Sequence, residues 1–175
     1  MAESFTNSLT SGVGIVTSTQ TASIGAGVTV IGGISTSHIS VGDMVQTQMF
    51  RGGTKVVQVG SGQVNVDKTS TNLTAATNQS VTFLGVTTAY TASSKSILVG
   101  GTFANLTNNA INIFVEVGSG NTFANLANNI PVPTGSSFVI SDAGKTILRA
   151  NEEIRVYCDE ATACDVTLSI LDGVA

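Results

Sequence analysis

The sequence predicts an all-β protein: an antiparallel sandwich, jelly-roll-like, or two small β units. Three observations carry this expectation. Apolar residues recur at every second position through much of the chain, the period of a half-buried strand. Glycine-rich turns separate these alternating runs. No stretch carries a helical stripe of apolar residues.

The front of the chain reads as follows. Residues 1–12 are polar and are expected to form an N-terminal arm that orders on a partner. Gly12-Val13-Gly14 and Gly25-Ala26-Gly27 faintly resemble phosphate-loop fragments, but neither continues into that spacing. They read as turn or strand-bend glycines. Val28 and Val30 alternate with Thr29. Val57 and Val59 alternate with Val56 and Gln58, and Val64 and Val66 with Gln63, Asn65 and Asp67. Gly60-Ser61-Gly62 between them supplies positive φ without a steric cost, so a hairpin is expected. Asp67 to Ser80 is rich in Thr, Asn and Ser and reads as a boundary or long connection. The expected division is therefore an arm over 1–12, an N-terminal β unit over 13–76 and a C-terminal β-sandwich over 77–175.

Strand-like runs resume at Val81–Leu84 and Ser96–Val99. Ile111, Ile113, Val115 and Val117 form one face, Asn112, Phe114 and Glu116 the other, and Gly118-Ser119-Gly120 ends the strand. A short repeat flanks it: Thr102–Asn109 recurs as Thr122–Asn129. Two copies are too few for a solenoid. The expectation is two similar strand-plus-turn pieces, with Phe and Leu buried and the Asn pair in the left-handed region. Val132-Pro133-Thr134-Gly135 fits a type I turn. Phe138–Ile140, a tight turn over Ser141–Lys145 and an antiparallel return over Thr146–Leu148 follow. Ile154, Val156 and Cys158 alternate with Arg155 and Tyr157; Val166, Leu168 and Ile170 alternate with Asp165, Thr167 and Ser169. Short strands with regular turns indicate a sandwich or barrel.

Composition bears on function. Charged residues are 10% of 175, there is one histidine, and tryptophan is absent. An enzyme needs convergent titratable groups, and few are on offer. The net charge is −4 and the seven basic residues are scattered, which argues against direct nucleic-acid binding through phosphates. No apolar run approaches the roughly 18 residues of a membrane-spanning helix. Met1–Asn7 has neither a basic segment nor an apolar core, so no export signal and no membrane association are expected. Asn72, Asn78 and Asn105 open glycosylation sequons that then carry no inference. An apolar composition without a membrane route suggests surface hidden against other subunits.

Individual side chains point the same way. By alternation Cys158 and Cys164 lie on inward faces. A cross-strand bridge is conceivable, but a reducing compartment favours free, buried thiols. Cys-x5-Cys lacks zinc-ligand spacing. His38 has no second histidine beside it and no Gly-x-Ser-x-Gly elsewhere, so a solvent-facing or hydrogen-bonding role is expected. Asp159, Glu160 and Asp165 read as a solvated acidic hairpin tip in preference to a calcium site. Glu152 and Glu153 point to opposite faces and are no acid–base pair. No catalytic, cofactor-binding or metal residue is expected, and no cofactor.

An ordered series in the second half resembles a known group. Ile130–Ser137, Gly144–Ala150, Ile154-Arg155-Val156 and Asp165–Leu171 are similar to the C-terminal part of small virion structural proteins of tailed phages, with marine cyanophage-like viruses nearest. In that pattern Gly-Asp often follows Leu-x-Ala; here Asn151-Glu152-Glu153 stands instead. In the front half, Ile39–Val45 and Gly53–Val57 resemble small β modules of phage fibre and decoration proteins. The resemblance implies a non-enzymatic virion protein, made in the host cytoplasm, that decorates or cements capsid, neck or tail. Its implied partners are major capsid, neck or tail proteins and further copies of itself, and it brings no catalytic residues. The rival expectations are a receptor-binding or tail-fibre tip protein and a hydrolase dependent on His38.

Overall fold

The computed structural model describes residues 3–120, 122–141 and 146–174. It is all-β. In chain order the strands are β1 (Ser4–Val13), β2 (Ile15–Ile24), β3 (Val30–Gly32), β4 (Met44–Gln46), β5 (Thr54–Val59), β6 (Gln63–Val66), β7 (Ala76–Gly85), β8 (Thr87–Thr91), β9 (Ser96–Asn105), β10 (Ile111–Ser119), β11 (Thr122–Val132), β12 (Ser137–Ile140), β13 (Thr146–Leu148), β14 (Glu153–Cys158) and β15 (Cys164–Asp172). Two compact units result. One comprises Met1–Val13, Thr87–Tyr157 and Thr162–Ala175; the other comprises Gly14–Val86 and Cys158–Ala161.

The first unit is a sandwich. One sheet runs β1-β15-β9-β12, with β13 also on β9; the other runs β11-β10-β14-β8. Both β12 and β13 lie antiparallel to β9, on successive stretches of it. Taken together as one interrupted strand, they make the sixth of eight strands. The sheets then read first-eighth-third-sixth and fifth-fourth-seventh-second, which is jelly-roll order. Alternation explains the core. Val166, Leu168 and Ile170 of β15 and Leu98 and Phe103 of β9 are buried, as are Ile111, Ile113 and Val115 of β10 and Ile154 and Val156 of β14. Phe103 and Phe138, directly opposite in the ladder, hold their ring centroids 5.9 Å apart.

The second unit is a closed barrel in the order β2-β3-β6-β5-β4-β7. Closure leaves no free edge. Ile24, Ile31, Val45, Val56, Val64, Val81 and Phe83 fill it. The expected β5–β6 hairpin forms, with Val59 opposite Val64 and Gly62 at φ +70°. A register shift between Val56 and Gln58 buries Val56 and turns Val57 outward.

The structure corrects several expectations. Residues 4–13 are strand β1, paired with β15 from Ser4↔Asp172 onward, not an unpaired arm. The positions between Phe5 and Leu9 and on either side of them are Ser, Thr and Asn, exposed or half-buried at the sheet edge, so the segment lacks a buried apolar alternation and its composition looks like that of a tail. The division at 76 is displaced because β7, residues 76–85, closes the barrel against β2. Its polar first half pairs through backbone. Of the expected connection over Asp67–Ser80, residues 67–75 do join β6 to β7 as an irregular segment, in which Ser70 accepts from the Val28 N–H and donates to the Gly25 carbonyl, whereas residues 76–80 belong to β7. β13 does not return against β12; residues 142–145 of the expected turn lie outside the described residues. The Pro turn is Pro133–Ser136, closed by Ser136 N–H to the Pro133 carbonyl. Gly135 sits at its third position with φ +67°, as in a type II turn.

The two repeat copies also differ. Phe103 is buried at the end of β9, whereas Phe123 is half-buried in β11 under the Arg155 guanidinium, 3.9 Å from the ring centroid. Leu106 is exposed and Leu126 half-buried. Among these asparagines only Asn129 has positive φ. Asn105 instead ties strand ends together. Its Nδ2 donates to the carbonyls of Asn109 (2.7 Å) and Val132 (2.9 Å), and its Oδ1 accepts from the N–H and hydroxyl of Thr107.

Candidate docking surface

Each β15 residue that turns into the sandwich sends its neighbours out. The ladder therefore fixes which side chains share the outer face of the β1-β15-β9-β12 sheet. Phe5 stands opposite Leu171, Leu171 opposite Ile97, and Ile97 opposite Ile147. This is one transverse row of four apolar residues from four strands. A second row runs Leu9, Thr167, Thr102, Val139. Between them lie Asn7, Ser169 and Gly100. Each row spans about 14 Å, and the two are about 13 Å apart, from ordinary strand spacing and rise. Phe5 is 67% exposed, Leu9 73%, Val139 53% and Ile147 58%. None of these eleven positions is charged.

The bulge between Ser169 and Ile170 inserts Val99 into the face. A shallow depression of about 420 Å³ follows there, lined by Val99, Gly100, Thr102, Val139, Thr167 and Ser169. Polar groups anchor one end of the sheet. Ser96 Oγ and the Tyr90 hydroxyl donate to Asp172 Oδ1, and Thr6 Oγ1 donates to Oδ2. The Tyr90 bond foremost holds the Asp172 carboxyl below its usual range; burial opposes it as the next largest effect, and the Ser96 and Thr6 bonds add to the lowering.

The residues singled out in the sequence lie apart. Cys158 and Cys164 are buried and unbridged. Burial, then the charge of Asp165, pushes the Cys164 thiol up to about 12. His38 sits exposed on a barrel turn, with no carboxylate hydrogen-bonded to it among the described residues. Asp165 Oδ1 accepts from the Gly12 N–H, and Glu160 Oε2 from Gln46 Nε2 at 2.6 Å, so the acidic residues have separate partners. Glu152 accepts from the Arg149 N–H, while Glu153 pairs with Arg155 at 2.8 Å. Tyr157 donates to Glu116 Oε2 at 2.9 Å. Burial first, and then the Glu116 charge, raises its phenol far above its ordinary range. Among the described residues no three His, Cys, Asp or Glu side chains converge to hold a metal ion.

Sequence reading missed the two rows. Their members come from opposite ends of the chain, and only strand register brings them together. The one advance signal was the pair Phe5 and Leu9 in an otherwise polar segment. No protein-family model, no curated protein and no solved structure matches this chain.

Proposed function

We propose that this chain is a non-enzymatic structural protein of a phage virion, which decorates or cements the capsid, neck or tail by surface complementarity. The observation that carries the reading is the uncharged central part of the outer face, the two rows and the positions between them, with Phe5, Leu171, Ile97 and Ile147 as its apolar row and Asp165 at its margin. Apolar side chains placed across four strands, with Ser, Thr and Asn between them, have the composition of an interface core and its polar rim. The eight-strand order adds a fold-level analogy, since jelly rolls build capsid domains as well as lectins and other proteins. Many weak copies of such a contact add up on a symmetric particle.

The test is attachment. Purified chain is mixed with particles assembled without it and then sedimented. The reading expects wild type and His38→Ala to co-sediment and Ile147→Glu to stay in the supernatant. Failure of wild type to attach, or full attachment of Ile147→Glu, rejects it. The receptor-binding alternative gains no particular support: the hydroxyls of Tyr90 and Tyr157 are already bonded to Asp172 and Glu116.

A further inference from the structure

The sandwich has edges, and β1 differs from the rest. It is ten residues long and contains neither proline nor a charged side chain. Among the described strands it pairs in the sheet with β15 alone. The other edges carry the devices that ordinarily block strand addition. β8 is five residues long. β11 contains Pro131, positive-φ Asn129 and two register shifts against β10. The described strands on the opposite side, β12 and β13, are four and three residues long. Over Ser4–Thr10, before its own register shift and positive-φ Gly12, β1 is a regular, uncharged edge of seven residues bearing exposed Phe5 and Leu9, and that stretch is suited to accept another strand.

We propose that the strand it accepts is β1 of a second copy, antiparallel, about a two-fold axis that passes beside Asn7. The register follows from the side chains. A two-fold normal to the sheet keeps outer face with outer face, so outward residues must meet outward residues. Centred on Asn7, it sets Phe5 of each copy opposite Leu9 of the other, twice. Centred on Thr6 or Ser8, it sets Phe5 opposite Asn7 or Ser11, and the apolar match is lost. In the Asn7 register the row Ile147-Ile97-Leu171-Phe5 runs on into Leu9-Thr167-Thr102-Val139 of the second copy. The four apolar residues of one copy's first row then run straight on into Leu9 of the other, five apolar side chains in line, followed by Thr167, Thr102 and Val139. No like charges meet, because β1 has none.

The contact is small. Ser4–Thr10 spans about 23 Å, and a strip one sheet-layer deep, about 10 Å, covers roughly 230 Å². A stable interface buries about 800 Å² per partner. Pairing of purified chains is therefore weak and reversible, closes as a dimer, and is favoured by high protein concentration. The inference does not depend on the virion reading, since two purified chains suffice to test it.

Disulfide trapping reads both the pairing and its register. Asn7→Cys, Ser11→Cys and His38→Cys are made in the full chain, whose own two thiols are buried. Under mild oxidation at high protein concentration, Asn7→Cys is expected to form covalent dimers on the order of tenfold faster than the other two, because there the Cα atoms come within disulfide reach. A mixture of Phe5→Cys and Leu9→Cys chains should give the mixed dimer. In sedimentation velocity, Asn7→Lys should abolish the concentration-dependent shift of wild type while leaving the circular dichroism spectrum unchanged. Equal trapping at Ser11, or no trapping at Asn7, overturns the proposal.

Discussion

Ile147 of β13 lies directly opposite Ile97 of β9, and its side chain turns away from the core that the flanking Leu148 enters. The fold needs Leu148 inside; it does not need an isoleucine outside. The exposed apolar side chains of this face, Phe5, Leu9, Val139 and Ile147, are not part of the core.

Substitutions on the two sides of the sheet should therefore part company. Ile147→Glu and Leu9→Glu are expected to change unfolding free energy by no more than about 0.5 kcal/mol, as exposed positions usually do. Leu168→Ala, fully buried on the inner face, is expected to cost about 2–5 kcal/mol. Urea unfolding measures both. A large loss for Ile147→Glu would mean that the outer face is packed within the monomer.

Asn105 should behave as a structural hub. Asn105→Ala removes four hydrogen bonds at a buried site, and a loss of about 2–4 kcal/mol is expected at roughly 0.5–1.5 kcal/mol each. Asn105→Asp should be no better, since a carboxylate would aim oxygen at the carbonyls of Asn109 and Val132. The counterpart Asn125 is exposed in β11, and Asn125→Ala should be near neutral. Parallel thermal melts of the three variants decide this, and equal behaviour at 105 and 125 would contradict it.

Acid should weaken the sandwich partly through Asp172. Its carboxyl pKa is lowered in the folded state, chiefly by the Tyr90 hydroxyl. A group so shifted stabilises above its unfolded pKa, and that stability is lost as pH falls through the folded value. Melting temperature should accordingly drop as pH falls below the ordinary carboxylate range. Tyr90→Phe and Asp172→Asn should each flatten that part of the profile. An unchanged acid limb in both variants would remove Asp172 from the account.

Both thiols should be silent in the native protein. They are buried, and the Cys164 pKa of about 12 leaves almost no thiolate near neutral pH. No labelling by an alkylating reagent at pH 8 is expected, with labelling of two thiols after denaturation. One fast native label would show that the hairpin 158–164 opens.

The core strands were legible because alternation and burial are one signal: Ile154, Val156, Val166, Leu168 and Ile170 all face inward as their spacing implied. β1 was not, because an edge strand with Ser4, Thr6 and Asn7 exposed on both sides has no apolar period to read. Pairing was not legible either. Periodicity says that Thr146–Leu148 is a strand, but not that it continues beside β9 instead of folding back on β12. Nor does it say that residues 14–86 close on themselves between the sandwich's first and second strands. Apart from the Phe5 and Leu9 pair, the candidate surface fell in this second category, since Phe5, Ile97, Ile147 and Leu171 are neighbours by register alone.

Hydroxyl-radical footprinting of the chain, free and then bound to assembled particles, tests the outer face as the working surface most directly. Phe5, Leu9, Ile97, Val139, Ile147 and Leu171 should label in the free protein and become protected on the particle. Leu73 of the barrel, 95% exposed, should label in both. Unchanged labelling of the two rows on particles that retain the chain would contradict the account.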